Sequence, residues 1–181
     1  ICYHTYYEMG IERSTKKADY NSWEEILPEI DEGYKSLFYA PLEVNGDVIA
    51  QAGQSVFLTR DAGTTWKEIN FPTVNLGSAL YIPVDHIVYV GTDRGNLYKI
   101  TWNGAVWSKA EQLTTPRADA YISDLYVDPN NLNRIWITST TIDGERCFRS
   151  DDGGATWTNC SEGLPTLPIN AIEIDPANPN R

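Results

Sequence analysis

The chain repeats itself, and the repeat constrains its fold more than any single residue does. The stretch that runs from Ile122 through Asp128-Pro129 to Asn133-Arg134 returns 47 residues later, from Ile169 through Asp175-Pro176 to Asn180-Arg181. A second series marks the other end of the unit: Trp23, Trp66, Trp107 and Trp157 follow one another at spacings of 43, 41 and 50 residues. Self-similarity at this period means that one supersecondary unit is copied, and that neighbouring copies bury a core which no single copy could bury alone.

Alternation and turn residues place four short strands in each unit. In the best-preserved copy they fall at 122–127, 134–139, 147–150 and 156–161. The preceding copy gives 79–82, 86–91, 96–101 and 106–110, and the one before it 36–41, 47–52, 55–59 and 65–69. Units of about 45 residues with four antiparallel strands are the blades of a β-propeller. The expected fold is therefore all-β, divided as a partial blade at 1–35, blades at 36–75, 76–121 and 122–168, and a first strand at 169–181. Strands are also expected at 1–7, 11–14 and 23–27. They would form the second, third and fourth strands of a blade whose first strand is the 169–174 segment, so that joining Arg181 to Ile1 would restore the order Asn133-Arg134-Ile135 seen inside the chain. A slice of a longer propeller and a four-blade ring closed between its termini both fit. The slice is the expected arrangement, since most propellers have more than four blades.

Composition agrees with strands and turns. Six Trp and eleven Tyr accompany frequent Gly and Pro, and the one helical candidate, Trp23 to Ile30, is interrupted by Pro28. A net charge of −11 opposes binding to a phosphate backbone or an anionic membrane surface. No apolar run approaches the length needed to cross a bilayer. The two histidines, His4 and His86, sit apart from Cys or acidic clusters, and no Gly-rich loop opens a helix. No metal, cofactor or His-based triad is expected.

The hairpins before two of the marker tryptophans carry the most specific signal: Thr59-Arg60-Asp61-Ala62-Gly63-Thr64-Thr65-Trp66 and Ser150-Asp151-Asp152-Gly153-Gly154-Ala155-Thr156-Trp157. Both resemble the Asp-box, or BNR repeat, Ser/Thr-x-Asp-x-Gly-x-Thr-Trp, at every patterned position. The Asp carboxylate suits backbone N–H groups across its own turn, Gly supplies a positive φ, and Trp offers a large ring for packing between sheets. Two further copies are degenerate. Before Trp107 only Gly104 and the Trp remain, and before Trp23 the turn after Ser14 is longer, with Asp19 a candidate substitute for the box Asp.

The resemblance covers nearly the whole chain and implies membership among sialidase-like, xyloglucanase-like, sortilin-type and non-enzymatic cell-surface propellers, without choosing between them. In such propellers ligands usually meet the face opposite the boxes. By strand order that face carries Asp93, Arg94, the 140–145 loop and the run Pro116 to Tyr121. Arg117, Asp119 and Tyr121 form its clearest functional cluster, an Arg able to clamp a carboxylate and a Tyr able to stack on a sugar; the reading to be expected first of the same residues is a solvated loop holding a surface ion pair. A sialidase would need three converging Arg and an Arg-Ile-Pro segment before the first box, and no such segment is present. A xyloglucanase-like enzyme would need two opposed carboxylates, and the 25 acidic residues nominate no single pair.

Cys147 and Cys160 flank the intact box symmetrically, so a simple hairpin sets them opposite each other. A cross-strand disulfide and a pair of small buried residues are both compatible with that placement. A bridge would imply an oxidising compartment and leave Cys2 over. With no initiating Met or leader-like segment, targeting evidence is missing rather than negative. The expected function is a non-catalytic extracytoplasmic propeller module, secreted, periplasmic or on a cell surface, that presents loops to a protein or glycan within a longer parent chain. The alternatives are a glycoside hydrolase fragment and a sortilin-like receptor propeller.

Overall fold

The computed structural model describes residues 1–27, 30–142 and 144–175. Among them every regular element is a strand. Strands β1 (Cys2–Thr5), β2 (Ile11–Ser14) and β3 (Trp23–Glu25) make a three-stranded antiparallel sheet. Three four-stranded sheets follow in chain order: β4 (Leu42–Asn45), β5 (Val48–Ala52), β6 (Ser55–Thr59) and β7 (Lys67–Asn70); β8 (Gly77–Val84), β9 (Ile87–Thr92), β10 (Leu97–Thr101) and β11 (Glu111–Leu113); then β12 (Ile122–Val127), β13 (Ile135–Ser139), β14 (Cys147–Ser150) and β15 (Thr158–Asn159). Each sheet is a simple meander of antiparallel neighbours. The first strands β4, β8 and β12 pack side by side, which gathers successive sheets around one edge as the blades of a propeller.

Burial explains why the middle strands are nearly continuous apolar runs rather than alternating ones. β5, β6, β9 and β13 are buried along their whole length, because both faces of each are covered, by neighbouring sheets or, for the far face of β13, by Ile172 and Ile174, whereas the outermost β7 exposes all but Ile69. The cores are layers between sheets. One joins Val56, Leu58 and Phe71 to Val88, Tyr98 and Trp107, with Phe71 stacked on Tyr98 at 5.0 Å. The next joins Tyr89 and Leu97 to Leu125, Ile135 and Phe148. No sheet buries a face by itself, as a repeat architecture requires.

Close approach between sheets demands small residues at the ends of these layers. A Cβ on Gly77 would come within 2.4 Å of the Ala52 Cβ, and one on Gly91 within 2.6 Å of Ile122 Cγ2.

The strands expected at 11–14, 55–59, 122–127 and 147–150 coincide with β2, β6, β12 and β14. Other expectations are corrected. The first strand of the second sheet is Leu42–Asn45, not 36–41, because Gly46 at φ +63 opens the two-residue turn that fixes the register of Asn45 against Val48. The last strand of the third sheet is Glu111–Leu113, not 106–110, because the hairpin after β10 closes tightly through a Trp102–Trp107 bridge and the chain pairs with β10 only beyond it. The 169–174 segment is not hydrogen-bonded into a sheet. It packs along β12, where Asp124 accepts the Ile172 amide at 2.8 Å, Ser123 donates to the Ile169 carbonyl at 2.5 Å, and Ile174 meets Tyr126 and Trp136. Residues 176–181, with the Asp175-Pro176 turn and the expected junction of Arg181 with Ile1, lie outside the described residues.

Candidate functional site

The two matching hairpins are built alike. Thr59 Oγ1 accepts the amides of Asp61 and Gly63, and Ser150 Oγ accepts those of Asp152 and Gly154. Asp61 and Asp152 then accept the hydroxyl and amide of Thr65 and Thr156, the hydroxyls at 2.6 Å in both turns. Trp66 donates its indole N–H to the Ile26 carbonyl at 2.7 Å, and Trp157 to Thr114 at 3.0 Å, so each tryptophan ties its hairpin to the segment leading out of the previous sheet. With every carboxylate oxygen engaged in its own turn, these aspartates are placed to hold the fold rather than to transfer protons.

The first sheet preserves half of this device in a sequence that does not look like it. Ser14 Oγ accepts the amides of Lys16 and Ala18, the same two-and-four-residue reach as Thr59 and Ser150, and Ala18 sits at φ +62 where Gly63 sits at +91. Lys16 therefore occupies the Asp position. Asp19 is no substitute: its carboxylate accepts the Asn21 amide, away from Ser14.

The opposite face is formed by the loops between second and third strands and by the connections between sheets. It holds two features. The first is a polar basin of about 500 Å³ lined by Asn75, Arg94, Asn96, Gln112, Thr115 and Asp119. Asn75 donates to Thr73 at 2.7 Å and also to the Asn96 side chain, and Thr73 pairs with the Tyr98 hydroxyl at 2.5 Å. Of the five expected binding residues, Arg94 and Asp119 meet here, Asp119 exposed and at φ +56. Asp93 is spent on the loop itself, accepting the Leu76 amide at 2.9 Å. Tyr121 is half-buried behind it, its hydroxyl pKa pushed up by burial and by the nearby Asp93. Arg117 donates to the Glu145 carbonyl at 3.3 Å. Asp143 of the 140–145 loop lies outside the described residues.

The second feature is an aromatic ledge. Tyr6, Tyr7, Phe38 and Tyr39 are 53–75% exposed, and the rings meet edge-to-face within each pair, Tyr6 with Tyr7 at 5.3 Å and Phe38 with Tyr39 at 4.8 Å. A parallel bridge joins Glu8 to Tyr39, and the Glu8 amide donates to the Phe38 carbonyl at 2.8 Å, which locks the two loops together. Glu8 pays for that junction with a left-handed backbone at φ +52. Beside the ledge a hollow of about 450 Å³ is lined by Glu8, Glu12 and Glu25 as well as Tyr6 and Tyr7. Glu12 and Glu25 are direct cross-strand partners, a like-charge placement that costs stability, and His4 Nε2 lies 2.9 Å from Glu12. Reading 1–7 and 36–41 as strands hid this ledge. The Asn45-Gly46 dipeptide was the available signal, since it sets the strand immediately before it and leaves Phe38 and Tyr39 in a loop.

The cysteines also depart from one expectation. The β14–β15 register sets Cys147 directly opposite Cys160, as the symmetry of the hairpin implied, yet both are free thiols. The Cys160 amide donates to the Cys147 carbonyl at 2.8 Å, so theirs is a wide, hydrogen-bonded pair. Such pairs hold Cβ atoms farther apart than the roughly 3.5–4.5 Å that a bridge needs.

No protein-family profile matches the chain. It is 29% identical over 143 residues to the xyloglucanase Xgh74A of Acetivibrio thermocellus, covering 70% of this chain and 17% of that protein. Over 130 residues it is 30% identical to a xyloglucanase of a Paenibacillus species, covering 63% of this chain and 12% of that protein. The chain thus spans well under a fifth of the length of either relative. Among solved structures, that of an ancestral GH74 enzyme superposes with a TM-score of 0.63 at 12% identity, covering 89% of this chain and 22% of the other. That likeness is one of fold, and it makes the sheets described above propeller blades.

Proposed function

We propose that this chain is part of a propeller glycoside hydrolase that acts on xyloglucan or a closely related β-glucan, and that the ledge of Tyr6, Tyr7, Phe38 and Tyr39 holds the polysaccharide. The observation that carries this reading is the ledge itself. Four large aromatic rings exposed together on a loop face are costly to leave in water and are suited to stacking against the apolar faces of pyranose rings. The carboxylates of the adjoining hollow and the amide-rich basin around Asn75, Asn96 and Gln112 add hydrogen-bonding groups for sugar hydroxyls. Similarity to two xyloglucanases favours this reading over the non-catalytic module that sequence alone puts first. It carries with it an extracytoplasmic location, and a role for the two matching hairpins as Asp-boxes that fasten blades.

The test is hydrolysis of soluble xyloglucan by the full-length protein, measured as new reducing ends. Activity is expected, with Tyr39→Ala and Tyr6→Ala each raising KM for the polymer by about 5–10-fold, the equivalent of one aromatic contact. A folded full-length protein that binds the polymer through the ledge without cleaving it would return the reading to a glycan-binding module. No binding and no cleavage would remove the glycan altogether.

A further inference from the structure

On the face that carries the matching hairpins, a groove of about 350 Å³ runs between the second and third blades. Its walls include Trp66, Trp102, Trp107, Arg60, Lys67 and Val106. Trp102 and Trp107 meet edge-to-face at 5.4 Å, and the Arg60 guanidinium lies 5.1 Å from one ring centre and 5.6 Å from the other. Trp66 and Trp107 are the marker tryptophans whose packing between blades the fold requires. Trp102 is not. It stands in the hairpin that has lost the Ser/Thr and Asp of the motif, it remains part-exposed, and Val106 beside it is 59% exposed.

We infer that this groove is a second saccharide-binding site, which takes an uncharged polysaccharide chain on the indole surface around Trp102, remote from the loop face. The charge of the lining selects the ligand class. Arg60 is already neutralised by Asp85, 3.0 Å away, and no carboxylate lines the groove. Aromatic surface bordered by guanidinium and ammonium donors matches a polyhydroxylated ring, whose apolar face stacks on indole while its hydroxyls accept, and the one cation in the lining besides Arg60, Lys67, is exposed to solvent. The volume falls within the roughly 300–1,000 Å³ of ligand sites, and the fixed Arg60–Trp102–Trp107 stack means that little side-chain ordering opposes binding. The choice of xyloglucan as probe rests on the function proposed above; the existence of the site does not.

The experiment is affinity electrophoresis of the full-length protein through native gels containing xyloglucan, run beside hydrolysis of short xyloglucan oligosaccharides. Trp102→Ala is expected to weaken retardation by the polymer about 5–10-fold while oligosaccharide hydrolysis stays unchanged, and Trp102→Tyr is expected to restore most of the retardation. Val106→Glu, a rim change outside the core, should reproduce the loss and keeps the test decisive should Trp102→Ala unfold. Retardation within twofold of wild type in both folded variants would overturn the site. Retardation that depends on Trp102 in a protein that hydrolyses nothing would uphold the groove and sink the enzyme reading instead.

Discussion

The Thr156 hydroxyl donates to the Asp152 carboxylate at 2.6 Å. That bond, with the Thr156 amide and the Ser150 hydroxyl, holds the Asp152 pKa down to about 2; in the second blade, desolvation pushes Asp61 up but the hydrogen bonds from Thr65 and Thr59 outweigh it and hold it at about 2. An acid whose folded pKa is depressed contributes stability above its unfolded pKa, near 3.8, and loses it as pH falls through the folded value. The contribution of these two carboxylates to Tm should therefore be constant from neutral pH to about 4 and decline between about 4 and 2. Asp152→Asn should lower Tm at pH 7 by a few degrees and flatten that decline. An unchanged acid limb in the variant would separate the hairpin from acid stability.

Ala18 holds a left-handed backbone, φ +62, that other copies of the hairpin assign to glycine. Ala18→Gly relieves a conformation costing about 1–2 kcal/mol for an L-residue and gives part of it back in unfolded-state entropy. A gain of about 0.5–1 kcal/mol is expected, visible as roughly 1–4 °C in Tm. A lower Tm would mean that the Ser14 turn is not strained as its geometry indicates.

Glu43 lies on β4 and is raised to about 7, first by burial and then by the nearby charges of Asp124 and Glu173. Here the sign reverses. The folded protein holds its proton more tightly than the unfolded chain, so stability is lost as pH rises from about 4.5 to 7 and is constant above that. Glu43→Gln should raise Tm at pH 8 relative to wild type and leave it nearly unchanged at pH 4. Equal shifts at both pH values would show that charge is not what burial of Glu43 penalises.

The thiols give a labelling prediction. Burial, then proximity to Cys160, pushes the Cys147 pKa up to about 11, and Cys147 is buried while Cys160 is part-exposed. Alkylation at pH 8 followed by peptide mapping should modify Cys160 well before Cys147. Recovery of a Cys147–Cys160 disulfide peptide from the native protein would overturn the free-thiol pairing.

Legibility followed local chemistry. β12 and β14 could be bounded to the residue because Asp128-Pro129 and the Ser150 to Trp157 hairpin punctuate them with turn residues of fixed geometry. β4 could not, since Ser36 to Pro41 alternates as well as Leu42 to Asn45 does, and only the turn at Gly46 decides between them. The Ser14 hairpin was legible as a degenerate copy, but not the residues that hold it, because its hydrogen-bond pattern survives on a serine and two left-handed residues, Lys17 and Ala18, that no motif encodes. Arg94 and Asp119 were assigned to the loop face by strand order alone. The partners of Arg117 and the meeting of Tyr6, Tyr7, Phe38 and Tyr39 depend on how two loops fold back on each other, and periodicity carries nothing about that.

The two close contacts between blades have opposite polarity. Where the second and third blades meet, glycine is on the entering first strand, Gly77 against Ala52; where the third and fourth meet, it is on the departing second strand, Gly91 against Ile122. A fourth blade moved to follow the second would set Ile122 against Ala52 with no glycine to receive it, and a duplicated third blade would face Gly77 with Gly91 and leave a void. The repeats are alike in sequence, but they are keyed to their neighbours, and shuffling or deleting one as an interchangeable module would break a joint on either side.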